Sequence, residues 1–208
     1  MKKLLLSIGA VFLLAAGAEA QTGYGLKAGL NLGKYSNFGD DQSNNTSFYV
    51  TGFADMPIAP QFSIQPGVSL QGKGSKFVAD YDDIGAGVDA TINTMSIEIP
   101  VNAVYYIPAG AGDVFLGAGP YIGFNVSGKE KLRGNYGDYG GERDWDLKVG
   151  NDKDLKLIDA GVNFMAGYKL HNGLLINAGY GLGLTNVMPH ANETISNRVL
   201  SFGIGFQY

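Results

Sequence analysis

The stretch Leu200-Ser201-Phe202-Gly203-Ile204-Gly205-Phe206-Gln207-Tyr208 decides how the rest of this chain is read. Leu200, Phe202, Ile204, Phe206 and Tyr208 alternate with Ser201, Gly203, Gly205 and Gln207. A period of two puts the large apolar set on one face of a β-strand and the small polar set on the other. Residues 174–185 repeat the pattern, with Leu174, Ile176, Ala178, Tyr180, Leu182 and Leu184 set against Asn177, Gly179, Gly181, Gly183 and Thr185. Residues 24–33 repeat it again, and in 61–73 Phe62, Ile64, Val68 and Leu70 oppose Gln61, Ser63, Gln65, Ser69, Gln71 and Lys73. Segments 47–56, 93–106, 114–127 and 155–170 alternate less cleanly and bring the total to eight strands.

Most of these segments run about 10 to 16 residues, whereas soluble strands average about 5–6 and a tilted strand needs about 9–11 to cross a bilayer. The connections alternate long and short: 35–46, 57–60, 74–92, 107–113, 128–154, 171–173 and 187–196. That is the rhythm of a membrane barrel with short turns on the periplasmic side and longer loops outside. The short turns carry Pro57 and Pro60, Pro108 with Gly110 and Gly112, and Asn172-Gly173, the last predicting a type I′ hairpin. The expected fold is all-β, an eight-stranded antiparallel up-and-down barrel with both termini periplasmic. Pro66, Pro100 and Pro120 fall inside strands, where a missing N–H predicts bulges or lumenal water.

Outside this pattern stands the start of the chain. Met1-Lys2-Lys3, an apolar run from Leu4 to Ala16 and Ala18-Glu19-Ala20 before Gln21 read as a secretory signal peptide, cleaved between Ala20 and Gln21. The expected domains are a signal peptide over 1–20 and a barrel over 21–208. Losing Lys2, Lys3 and Glu19 moves the net charge from −4 to −5, an acidic balance that speaks against nucleic acid as a partner. The chain has no cysteine, which excludes a disulfide framework.

The segments YGLKAGLNLG (24–33), FSIQPGVSLQGKGSKF (62–77), SIEIPVNAVYY (96–106), GAGPYIGF (117–124) and YGLGLTN (180–186) resemble the PorT-like outer-membrane β-barrel family. The likeness covers essentially the whole of 21–208, with loops 35–46 and 128–154 unmatched. It implies a small barrel of the OmpA/OmpX type in the bacterial outer membrane. Some members of that family are associated with a protein secretion and gliding apparatus, and many have no assigned role.

Few residues are of a type and spacing that could carry chemistry. His171 falls in a turn and His190 in the last long loop, where it could meet Asp83 or Asp144 and activate water. Asp80, Asp82 and Gly85 match part of a calcium loop, but Ile84 and Thr91 occupy ligand positions. Looser calcium binding would draw on Asp138, Asp144, Asp146, Asp152 and Asp154. No catalytic, cofactor or metal site is expected.

Alternation also assigns the charges. Lys27, Asp55, Glu98, Asp159 and Lys169 share the lumenal phase, and Lys27 is expected to pair with Asp55 near the lower ends of the first two strands. Tyr24, Phe62, Tyr105, Tyr168, Phe206 and Tyr208 fall in the lipid phase near the same ends, as an aromatic girdle at the periplasmic rim. The expected function is a non-enzymatic outer-membrane protein acting through its extracellular loops or as a structural, secretion-associated component. The alternatives are a narrow passive channel for small solutes or ions and, more remotely, a loop-borne hydrolase. The expected partners are outer-membrane lipid, the barrel assembly machinery through the C-terminal strand, and a surface polysaccharide or protein at the loops.

Overall fold

The computed structural model describes residues 22–37, 42–81, 86–136, 139–150, 152–189 and 193–208. The Ala20-Gln21 junction, Asp83, Asp138 and His190 lie outside them. Ten strands follow in chain order: β1 (Gly23–Tyr35), β2 (Gln42–Ser43), β3 (Asn45–Ala59), β4 (Phe62–Tyr81), β5 (Ala86–Ala109), β6 (Gly112–Tyr136), β7 (Tyr139–Leu147), β8 (Ile158–Leu170), β9 (Leu174–Gly183) and β10 (Asn197–Gln207). Eight of them close a ring in the order β1-β3-β4-β5-β6-β8-β9-β10, with β10 returning to β1, every pair antiparallel. Closure matters because a backbone group in hydrocarbon has no water to bond, so a spanning sheet tolerates no free edge.

The seam is set by side-chain phase. Leu26 lies opposite Phe206, Leu30 opposite Phe202 and Leu32 opposite Leu200. A slip of one residue would turn all of them into the lumen. Outward positions around the ring form an apolar band, for example Val114, Leu116, Ala118, Pro120, Ile122 and Phe124 on β6.

Short turns close the end that carries the termini. Leu170 and Leu174 flank 171–173, where Gly173 has φ 92° and its N–H donates to Leu170 O at 2.9 Å. Asn172 keeps a negative φ, so the expected type I′ pair is replaced by a three-residue loop with glycine alone in the left-handed region. At Gly110-Ala111 only Gly110 (φ 62°) is left-handed, which fits a type II′ turn.

The opposite end departs from expectation. Segments 74–92 and 128–154 are largely strand rather than loop. β5 and β6 stay paired from Met95↔Ser127 to Ala86↔Tyr136, and β6 turns back into β7 from Tyr136↔Tyr139 to Gly128↔Leu147. β4 pairs alongside up to Tyr81↔Ala86. A sheet with β7 as its last strand therefore continues past the barrel for about 30 Å measured along its strands, at roughly 3.4 Å per residue.

None of the three in-strand prolines Pro66, Pro100 and Pro120 makes a bulge. Pairings beside Pro66 and Pro100 drop out of the ladder, yet the register resumes with the same offset on both sides. Pro120 loses its pairing with Val101 on β5 and keeps its place opposite Val162 on β8. The bulge on β6 is at Val126, between the Met95 and Ser96 pairings, where the barrel passes into the projecting sheet.

Candidate functional site

The lumen is built in layers from the inward phase of each strand. At the short-turn end, Asp55 accepts hydrogen bonds from Gln65 Nε2 (3.0 Å), Tyr106 OH (3.2 Å) and Gln207 Nε2 (2.9 Å). Lys169 Nζ lies 4.5 Å from the centre of the Tyr106 ring. Above this network, Phe53, Val104, Phe115 and Leu175 form a buried apolar layer flanked by Tyr106 and Met165.

Next comes a polar chamber of about 70 Å³, lined among others by Lys27, Asn31, Thr51, Asn102 and Asn163. The side-chain oxygens of Asn31 and Asn102 are buried there without a protein donor. A polar space of this size holds a few waters at most. Asn177 Nδ2 donates to Tyr49 OH at 3.0 Å and ties distant strands together across it.

The centre of the lumen is a buried charge cluster. Glu98 on β5 and Asp159 on β8 both lie in register with Gly123 on β6, so the strand between the two carboxylates carries no side chain. A Cβ at Gly123 would come within 3.1 Å of Glu98 Cγ. Into that gap Lys73 reaches from β4, paired with Glu98 and at 2.7 Å from Asp159 Oδ2. Its ammonium also sits 4.7 Å from the centre of the Tyr121 ring. Asp159 accepts further from Asn197 Nδ2 (2.9 Å) and Thr185 Oγ1 (3.2 Å). Lys73, Glu98 and Asp159 are 4%, 2% and 0% exposed. Charges this deep persist only when compensated; here Lys73 pairs with both carboxylates, and Asp159 is further hydrogen-bonded.

Over the cluster, Tyr35, Ile92, Leu155, Val187 and Ile195 close the lumen with a second apolar layer, packed by Phe77, Leu147, Val149 and Met188. Leu155 and Val187 enter from the segments joining β7 to β8 and β9 to β10, and Lys156 N–H donates to Val187 O at 2.9 Å. The connecting segments fold back over the opening rather than lying loose.

The five charges singled out by alternation occupy this interior, but two of them do not meet as expected. Lys27 lies opposite Thr51 on β3, while Asp55 lies opposite Gly23. Four residues separate the levels, about 13 Å along the strand. Lys27 Nζ instead stands 3.5 Å from Met165 Sδ and 5.4 Å from the Phe53 ring centre. Lys73, the organising cation, was legible only as one polar position among six in 61–73.

Tyr24, Tyr105, Phe206 and Tyr208 are exposed on the outer face at the short-turn end, with Phe62 and Tyr168 half-buried beside them. Phe62 is the register partner of Tyr105, and Phe206 meets Tyr208 edge-to-face at 5.1 Å. Of the catalytic and calcium candidates, His171 sits in the short turn and Asp144 on β7, at opposite ends of the molecule. Asp144 and Asp146 face Lys131 and Lys129 at 3.9 and 3.8 Å. Arg133 is bonded to Glu142 at 2.8 Å, and that hydrogen bond and charge hold the guanidinium above its ordinary pKa. No three acidic or histidine side chains converge as metal ligands among the described residues.

A sheet closed on itself, apolar outside and filled inside by paired charges and hydrogen bonds, is a transmembrane β-barrel. This chain belongs to the outer membrane protein beta-barrel domain family, whose model matches residues 19–188, and with that family goes the bacterial outer membrane. It is similar in structure to Ail, the attachment invasion locus protein of Yersinia pestis, at 11% identity, with 91% of this chain and 100% of that chain covered and a TM-score of 0.45. It is also similar to Neisserial surface protein A, at 13% identity, 90% and 97% coverage and a TM-score of 0.45. The N-terminal β-barrel domain of Pseudomonas aeruginosa OprF is similar at 11% identity, 90% and 100% coverage and a TM-score of 0.36. No curated protein is similar enough in sequence to match.

Proposed function

We propose that this protein is a sealed, non-enzymatic barrel that anchors a working β-sheet outside the cell. The observation that carries the reading is the contrast between its two parts. The lumen is closed by two apolar layers with a charge cluster between them, while the β4–β7 sheet projects past the apolar band. The sheet would face outward and both termini the periplasm, because short turns lie on the periplasmic side of such barrels.

The projecting sheet ends on β7, whose outer edge pairs with no other strand among the described residues. An open edge of nine residues offers main-chain donors and acceptors to an extended segment of a protein partner. Glu142, Asp144 and Asp146 occupy alternate positions on one face of that edge. Antiparallel pairing of two copies with the sheet faces aligned would set these acids against one another, so the edge disfavours its own copy. The PorT-like resemblance supports placing such a partner in a secretion-associated assembly.

Because the chain lacks cysteine, a single Arg143→Cys variant gives a clean test. In intact cells a membrane-impermeant maleimide is expected to label it, and a photo-crosslinker at the same position to capture a protein. Labelling only after lysis would reverse the orientation. Labelling without any captured protein would defeat the partner reading.

A further inference from the structure

We infer that Lys34 and Arg198 form a clamp on the outer wall of the barrel for the phosphate of a lipid headgroup. The two are direct register partners on β1 and β10. Both follow the outward phase, so two cations face each other across adjacent strands, an arrangement that is destabilising unless an anion lies between them. Neither belongs to any of the ion pairs among the described residues.

Their height is that of a headgroup. From Tyr208 at the aromatic end, β10 climbs through Phe206, Ile204, Phe202 and Leu200 to Arg198. Ten residues at about 3.3 Å and a tilt of about 40° rise about 25 Å, the height of the apolar band in such barrels. Directly beneath the pair, Leu32 faces Leu200 and Leu30 faces Phe202, leaving an apolar track along the seam for acyl chains.

The arginine is held in place for the task. The two N–H groups of its Nη1 are shared among Gly183 O (2.7 Å), Ser196 Oγ (2.9 Å) and Asn197 O (2.9 Å), while no hydrogen bond of Nε or Nη2 occurs among the described residues. A solvated arginine that merely snorkels to the boundary needs no such anchor. A guanidinium fixed through one nitrogen presents its remaining donors as a rigid fork, which suits a phosphate. The assignment to the outer leaflet rests on the orientation proposed above, while the contact itself does not.

The test uses the full barrel in phosphatidylcholine nanodiscs with either diphosphoryl lipid A or its dephosphorylated form, reading retained lipid by native mass spectrometry. The wild type is expected to retain the phosphorylated lipid preferentially. Lys34→Ala and Arg198→Ala are each expected to weaken that retention roughly tenfold, with Arg198→Lys restoring only part. Heat-modifiable migration reports folding, and Lys34→Ala decides alone if Arg198→Ala does not fold. Equal retention of the two lipids, or retention untouched by Lys34→Ala, would overturn the clamp. Full displacement of the lipid by inorganic phosphate would assign the pair to free anion and overturn the lipid reading. Failure of maleimide labelling at position 143 in intact cells would change the leaflet and leave these binding results standing.

Discussion

Lys73 carries its charge into the middle of a membrane-spanning structure because two carboxylates wait there on either side of a glycine. Removing one member of such a cluster leaves the others buried and uncompensated. Lys73→Ala is therefore expected to cost about 3–5 kcal/mol in detergent unfolding. Lys129→Ala, which breaks an exposed pair with Asp146, is expected to cost less than about 1 kcal/mol. Equal shifts for the two variants would mean the cluster is hydrated and weak. The inward phase of Glu98 and Asp159 was legible in the alternation of their strands, because every second residue faces the lumen. Which charges meet was not. Pairing across a barrel depends on strand register and on the length of a side chain reaching over the lumen, and neither is written in the local sequence. Lys27 and Asp55 both lie near strand ends, while register puts them four residues apart, on either side of the lower apolar layer.

At the scale of the strand, the legible part of the fold stops where lipid stops. Eight crossing strands show themselves because hydrocarbon demands an apolar residue at every second position. Past Val126 that demand ends, and the bulge there shifts the phase of β6 by one residue. Lys129, Lys131 and Arg133 then share a face with Asp146, Asp144 and Glu142. A strand with charged residues on its outer face and Glu130, Leu132 and Gly134 on the other looks like a loop in sequence. It holds together through cross-strand pairs instead. Shortening the β6–β7 hairpin by deleting 131–144 is accordingly expected to leave heat-modifiable migration intact, because the barrel ring closes without it. Deleting Phe206–Tyr208 should abolish that migration. Phe206 pairs with both Leu26 and Leu174, and Tyr208 N–H donates to Tyr24 O at 2.8 Å, so the seam loses its lower end. Stable insertion is expected to fail. Normal migration of that truncated chain would contradict closure through β10.

For the whole molecule, the layers of the lumen act in series. An ion crossing it meets Phe53, Val104, Phe115 and Leu175, then the Lys73 cluster, then Tyr35, Ile92, Leu155, Val187 and Ile195. Each apolar layer excludes a hydrated ion by its own desolvation cost, and the cluster is already internally paired. Opening one layer therefore leaves the others blocking. In planar bilayers the wild type is expected to show no steady open level. Phe115→Ala, which enlarges the lower layer, should show none either, and nor should Leu155→Ala, which enlarges the upper one. Both variants carry a stability cost of about 2–5 kcal/mol for the cavity, so folding is checked by migration before current is recorded. A steady level in the wild type would return the protein to the class of narrow channels. A steady level in one single variant alone would show that the remaining layers are not barriers, and that a single constriction had kept the path shut.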